Sequence, residues 1–242
     1  MLKNEFNWYS PNLSKDMPIV RYGSTGFSLL LVPTAAADYL EYERFLLIDA
    51  LAHYIDTGKI SVFSVNSINN ESWLNNSIDG YSKIQRHVQF NNYIYEEVIP
   101  FIKTNTSQDT PIIISGASFG ALHSMNLYLK RPDLIQGVIA MSGVYDLTEY
   151  SKGYYNDDVY FNSPIHYIPN LTNHDTLTQI RAGKIVIATG SGAYEDPEAN
   201  RRFSGVLQSK GIGHLIDIWG TDITHDWPTW RKMLPYFIDT KF

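Results

Sequence analysis

A chain of 242 residues that is 44% hydrophobic can enclose a continuous core, and its length fits one large α/β unit better than two small ones. The formal net charge of −6, with no basic cluster beyond Arg201-Arg202, excludes a protein built to grip a nucleic-acid backbone. No apolar stretch reaches membrane-spanning length, and the absence of cysteine removes disulfides, thiol nucleophiles and thiolate metal sites.

The first residues, with Asn4, Glu5 and Asn7, lack the basic-then-apolar order of a secretory leader, so a cytoplasmic setting is expected. Residues 19–22 and 27–32 read as strands around a Gly23-Ser24-Thr25-Gly26 turn, which predicts an antiparallel hairpin at the sheet edge. Residues 40–55 carry apolar side chains at helical spacing, and residues 60–65 form a strand. A polar loop over 66–79 leads into a long helix from about 81 to 103, whose Pro100 should kink or restart its last turns. A strand at 111–115, a turn at 116–120 and a helix at 121–130 follow. The strand at 135–142 opens into an irregular, aromatic-rich insert over 143–171. A strand at 184–189, a helix at 197–210, a strand at 214–219 and a helix at 228–238 complete the order. Near-continuous apolar strands separated by helices indicate a mostly parallel sheet with helices on both faces. With no repeat, low-complexity tract or linker, residues 1–242 are expected to form one domain.

The sharpest local signal is Gly116-Ala117-Ser118-Phe119-Gly120, set between a strand and a helix. That context is the nucleophile elbow of the α/β-hydrolase fold, which lifts a serine hydroxyl above the sheet. The turn would also aim the Phe119 N–H at a developing oxyanion. On this fold the general base comes last, after the final strand, and among seven histidines only His225 is so placed. The acid should follow the preceding strand, where Glu195 and Asp196 stand side by side. Asp196 precedes Pro197 at a helix start and suits a capping role, which assigns Glu195 to the triad and keeps Asp196 as the alternative acid. The second oxyanion donor is expected from the loop after the strand at 27–32, at Thr34 or Ala35. Gly190-x-Gly192 follows a strand as a dinucleotide fingerprint would, but Glu195 fills the third glycine position and would face pyrophosphate. No nucleotide or metal site is expected.

Together these residues resemble the putative-esterase family, the esterase D-like group of α/β hydrolases. The resemblance runs from about residue 18 to 237. It is carried by Val32-Pro33-Thr34, the Ser118 elbow with its helix ending Arg131-Pro132-Asp133, Met141-Ser142-Gly143, Asn162-Ser163-Pro164, and His225-Asp226-Trp227 with Trp230. It implies a Ser–acid–His triad and no metal or organic cofactor. The family includes carboxylesterases, S-formylglutathione hydrolases, feruloyl and acetylxylan esterases, siderophore esterases and mycolyltransferases. The chain departs from the family at Ala121 and Thr224, where glycine is common, and in Glu195, where aspartate is commoner.

The expected activity is therefore hydrolysis of small-molecule esters with short or aromatic acyl groups, through an acyl-enzyme on Ser118. An acyltransferase on the same triad and a non-catalytic binding module are the rivals, the second disfavoured by retention of all three residues. The insert either lines the site or packs on its own aromatics. Neither nucleic acid nor membrane is expected as a partner, and oligomeric state is not legible.

Overall fold

A computed structural model describes residues 1–242. Eight strands form one sheet in the order β1-β2-β4-β3-β5-β6-β7-β8, the order of the α/β-hydrolase fold. They are β1 (Lys3–Ser10), β2 (Lys15–Tyr22), β3 (Phe27–Leu31), β4 (Ile60–Val65), β5 (Ile112–Ala117), β6 (Gly137–Met141), β7 (Lys184–Thr189) and β8 (Leu215–Ile218). From β4 to β8 every neighbouring pair is parallel, so the carboxyl ends of these strands share one edge. In open α/β sheets ligands bind outside that edge.

The period of two explains the layers. Leu29, Leu31, Ile113, Ile139 and Val186 face one way, under the helix Trp227–Lys241 and the short helices at 41–56. Leu30, Val32, Ile114, Val138 and Ile187 face the other, against the helices Gly80–Tyr93, Phe119–Lys130, His174–Ala182 and Pro197–Ser209. Both faces are buried, which is why the strands carry continuous apolar runs. No helix is long and apolar enough to cross a membrane.

Four differences from the expected elements have physical causes. The antiparallel hairpin is present but consists of β1 and β2, and β2 then pairs antiparallel with β4 rather than with β3. β1 hides behind Lys3, Asn4, Glu5 and Asn7 because Phe6 and Trp8 are the only apolar side chains it packs inward, as on a half-buried edge strand. The helix expected over 40–55 is three short helices, broken where Leu46 takes φ 59°. The long helix restarts around Pro100, at Ile99–Asn105, as one of the two expected outcomes, but it does so through an unexpected π turn over Ile94–Val98 rather than a kink. That extra width accommodates a proline ring that would strike the carbonyl four residues earlier in an α turn. The sequence does not announce the helix His174–Ala182, which has only Leu177 and Ile180 as buried residues and is capped by Asn173.

Candidate active site

Ser118 follows β5 and immediately precedes the helix Phe119–Lys130, with φ 57° and ψ −121°, a conformation rarely adopted by residues other than glycine. The surrounding packing enforces it. A Cβ on Gly116 would lie 2.4 Å from the Gly120 carbonyl carbon, and one on Gly120 would lie 2.4 Å from Val32 O and 2.6 Å from Pro33 O. Ser118 N–H donates to Met141 O at 2.9 Å, tying the elbow to the end of β6. Ser118 is half-buried. The Phe119 N–H opens the helix and has no intrahelical acceptor.

Glu195, after β7, has a side chain with 0% exposure. Its Oε1 accepts from Ser142 Oγ at 2.7 Å and Gly190 N–H at 3.1 Å; its Oε2 accepts from Thr189 Oγ1 at 3.1 Å and His225 Nδ1 at 3.3 Å. Burial alone would raise its pKa, but the bonds from His225, Ser142 and the Gly190 N–H outweigh burial and hold it below the usual glutamate value. With Nδ1–H committed to the carboxylate, Nε2 is the basic nitrogen of His225. The imidazole packs edge-on against Trp230, ring centroids 5.3 Å apart, and its backbone N–H donates to Ala193 O at 3.1 Å. No hydrogen bond joins Ser118 Oγ to His225 in this conformation; such bonds often tighten only when substrate is bound.

Asp196 stands apart from this cluster. Its Oδ1 accepts from Ala199 N–H at 2.8 Å, capping the helix Pro197–Ser209. Asp226 likewise caps the helix Trp227–Lys241. Gly190 and Gly192 serve close packing: a Cβ on either would lie 2.2 Å or 2.6 Å from Ile223 O.

The loop after β3 divides the two expected oxyanion donors. Thr34 N–H donates to Glu41 Oε2 at 2.9 Å, and Thr34 Oγ1 donates to Glu41 Oε1. Thr34 is therefore already committed, to a carboxylate seven residues downstream that no local pattern announces. The Ala35 N–H has no partner within the chain. Ala35 packs on the same small apolar cluster as Phe119, which brings the two N–H-bearing residues to one place.

Three residues of this region carried no assigned role in the sequence. Ser142 has φ 51°, donates to Glu195 and accepts from Trp230 Nε1 at 3.0 Å, so it holds the acid from below. Its motif and Trp230 were visible only as points of family resemblance. Asn69 and His123 meet behind the Ala35 loop, with His123 Nε2 donating to Asn69 Oδ1 at 2.9 Å. Of the insert, Tyr145 stacks on Phe203 at 4.1 Å, whereas Tyr150 meets Phe119 edge-to-face at 4.8 Å. The insert thus packs on the helix Pro197–Ser209 at one end and abuts Phe119, the residue after Ser118, at the other. A separate cleft of about 410 Å³, lined in part by Leu129, Tyr160, Phe161 and Leu171, contains none of the elbow, acid or base residues.

The model of the family described as "Putative esterase" matches residues 69–236. No curated protein matches in sequence. Among solved structures, a ferulic acid esterase superposes with a TM-score of 0.77 at 16% identity, covering 98% of each chain. An S-formylglutathione hydrolase from Staphylococcus aureus gives a TM-score of 0.70 at 16% identity, over 98% of this chain and 95% of that one. A ferulic acid esterase from the anaerobic fungus Anaeromyces mucronatus gives 0.70 at 14% identity, over 99% and 90%. At these identities the structural likeness speaks to the fold.

Proposed function

This chain belongs to the "Putative esterase" family and is a carboxylic ester hydrolase of the serine type, and from that premise we propose that Ser118, His225 and Glu195 form its catalytic triad. The observation that carries this reading is the Glu195–His225 pair, its carboxylate sequestered and fourfold bonded, on the same sheet edge as the strained Ser118. His225 Nε2 takes the Ser118 proton as Oγ attacks the ester carbonyl, and Glu195 stabilises the imidazolium through Nδ1–H. The Phe119 and Ala35 N–H groups receive the oxyanion. Collapse expels the alcohol, which collects its proton from His225, and a water activated by the same nitrogen hydrolyses the acyl-enzyme.

The substrates are small-molecule esters with short or aromatic acyl groups. The aromatic-acyl reading is supported by the ferulic acid esterases among the structural neighbours and by the Phe119–Tyr150 wall beside the nucleophile. The catalytic unit is residues 1–242 as one domain. A fluorophosphonate probe should label Ser118, and Ser118→Ala should abolish labelling and lower kcat on p-nitrophenyl and feruloyl esters by about a thousandfold or more. Labelling at another serine, or a fully active Ser118→Ala, would refute the assignment.

A further inference from the structure

A trans peptide points its C=O and N–H in opposite directions, so fixing one aims the other. No peptide of the chain is cis. In the loop after β3, Asn69 Nδ2 donates to Thr34 O at 3.3 Å and to Ala35 O at 2.8 Å. Thr34 O belongs to the same peptide unit as the Ala35 N–H. Drawing that carbonyl onto Asn69 therefore turns the Ala35 N–H to the opposite side. The preceding peptide is fixed independently, because Thr34 N–H is bound by Glu41 and Pro33 O lies against Gly120.

Asn69 is in turn held by His123. Two carbonyls face Nδ2, so only Oδ1 is left to accept, and His123 Nε2 must carry the proton. His123 is fully buried, and burial pushes its pKa down to about 3, so the ring stays neutral and keeps a single donor for Asn69. It is stacked on His87 at 5.1 Å, whose Nδ1 accepts from Trp73 Nε1 at 3.0 Å. Asn69 itself is 1% exposed. Its side chain is a built support, not a surface contact.

We infer that Asn69, oriented by His123, is a positioning residue for the oxyanion hole, acting through the Thr34–Ala35 peptide. This rests on the reading that the Ala35 N–H receives the oxyanion. Asn69 touches no substrate; it determines where a backbone donor points.

Steady-state kinetics on a p-nitrophenyl ester test the inference. Loss of one oxyanion donor lowers kcat by about a hundredfold to a thousandfold, so Ala35→Pro, which deletes the N–H, should reach that range. Asn69→Ala and the near-isosteric Asn69→Asp, which lose the amide donors, should lower kcat by about tenfold to a hundredfold with KM close to that of the native chain. The double variant Asn69→Ala/Ala35→Pro should be no worse than Ala35→Pro alone, because both act through one N–H. His123→Leu should mimic Asn69→Ala, and His123→Gln, which retains an N–H donor, should recover much of the loss. Wild-type kcat in folded Asn69 variants while Ala35→Pro is impaired would overturn the inference and leave the triad intact. Multiplicative losses in the double variant, or equal losses in the two His123 variants, would overturn it as well. Wild-type kcat in Ala35→Pro would instead remove the oxyanion reading, and this inference with it.

Discussion

Glu195 and Asp196 are neighbours with the same functional group, and their surroundings separate their work. One is sequestered among four donors including His225; the other is exposed and bonded to the Ala199 N–H. Glu195→Gln should therefore lower kcat by up to about four orders of magnitude. Asp196→Ala should leave turnover nearly intact while lowering stability by about 0.5–2 kcal/mol, the value of a helix cap. The reverse outcome in kinetics and denaturant melts would mean the roles are exchanged. The acid dependence has a definite sign. Because the folded protein holds the Glu195 pKa below its ordinary value, its carboxylate adds stability above the ordinary glutamate pKa and loses it as pH falls through the depressed value. The melting-temperature gap between the native chain and Glu195→Gln should be widest near neutrality and close on acidification. The strained turn at Ser118 and the pairing of Glu195 with His225 could be read from the sequence because the fold fixes their chain order and the elements that flank them. Thr34, Asn69 and His123 could not. Their roles depend on side chains meeting backbone across seven and 34 residues and on two side chains meeting across 54, and no periodicity encodes those meetings.

At the scale of elements, the elbow works because two backbones touch. The helix start at Gly120 rests on the carbonyls of Val32 and Pro33, so the strand leading to the proposed oxyanion loop and the strand leading to Ser118 are locked together. Gly120→Ala would drive a Cβ to 2.4 Å from Val32 O, a backbone atom that cannot swing aside. We expect a loss of about 1–3 kcal/mol or more in urea denaturation, with activity reduced further because the oxyanion loop is displaced. Gly205 offers the control. It lies inside the helix Pro197–Ser209, its φ is ordinary, and a Cβ there would meet nothing within 4 Å. Gly205→Ala should stabilise the protein by about 0.4–1 kcal/mol and leave kcat unchanged. The elements most legible in the sequence were those with two buried faces, β3 to β7, since their apolar runs leave little choice. Those misread had one face in water or one special residue: β1 with its alternating polar side chains, the break at Leu46, and the π turn ahead of Pro100.

For the molecule as a whole, the question is what the 143–171 insert permits at the sheet edge. An interfacial lipase needs a lid whose apolar face opens to lipid, and a protein with such a lid exposes a broad apolar patch when active. Here most aromatic side chains of the insert turn inward. Tyr145 and Tyr167 are buried, and Tyr150, Tyr154 and Tyr160 are half-buried; Tyr155 and Phe161 alone among them are exposed, at 53% and 52%. Tyr167 OH donates to Asn126 Oδ1 at 3.2 Å, and Asn91 Nδ2 donates to Asn162 Oδ1 at 2.7 Å, so the segment is cross-tied to the body rather than free to lift. Tyr150 stands against Phe119, the residue after Ser118, so an acyl chain carried on Ser118 Oγ is expected to meet it. Rates across a p-nitrophenyl series should therefore fall as the acyl chain lengthens from acetyl toward palmitoyl, with no jump in rate when the substrate forms micelles. Tyr150→Ala should shift that optimum toward longer chains while leaving acetyl hydrolysis near its native rate, because the triad is untouched. Efficient turnover of long-chain triglyceride, activated at an oil–water surface, would show that the insert opens after all and that the short-acyl reading is wrong.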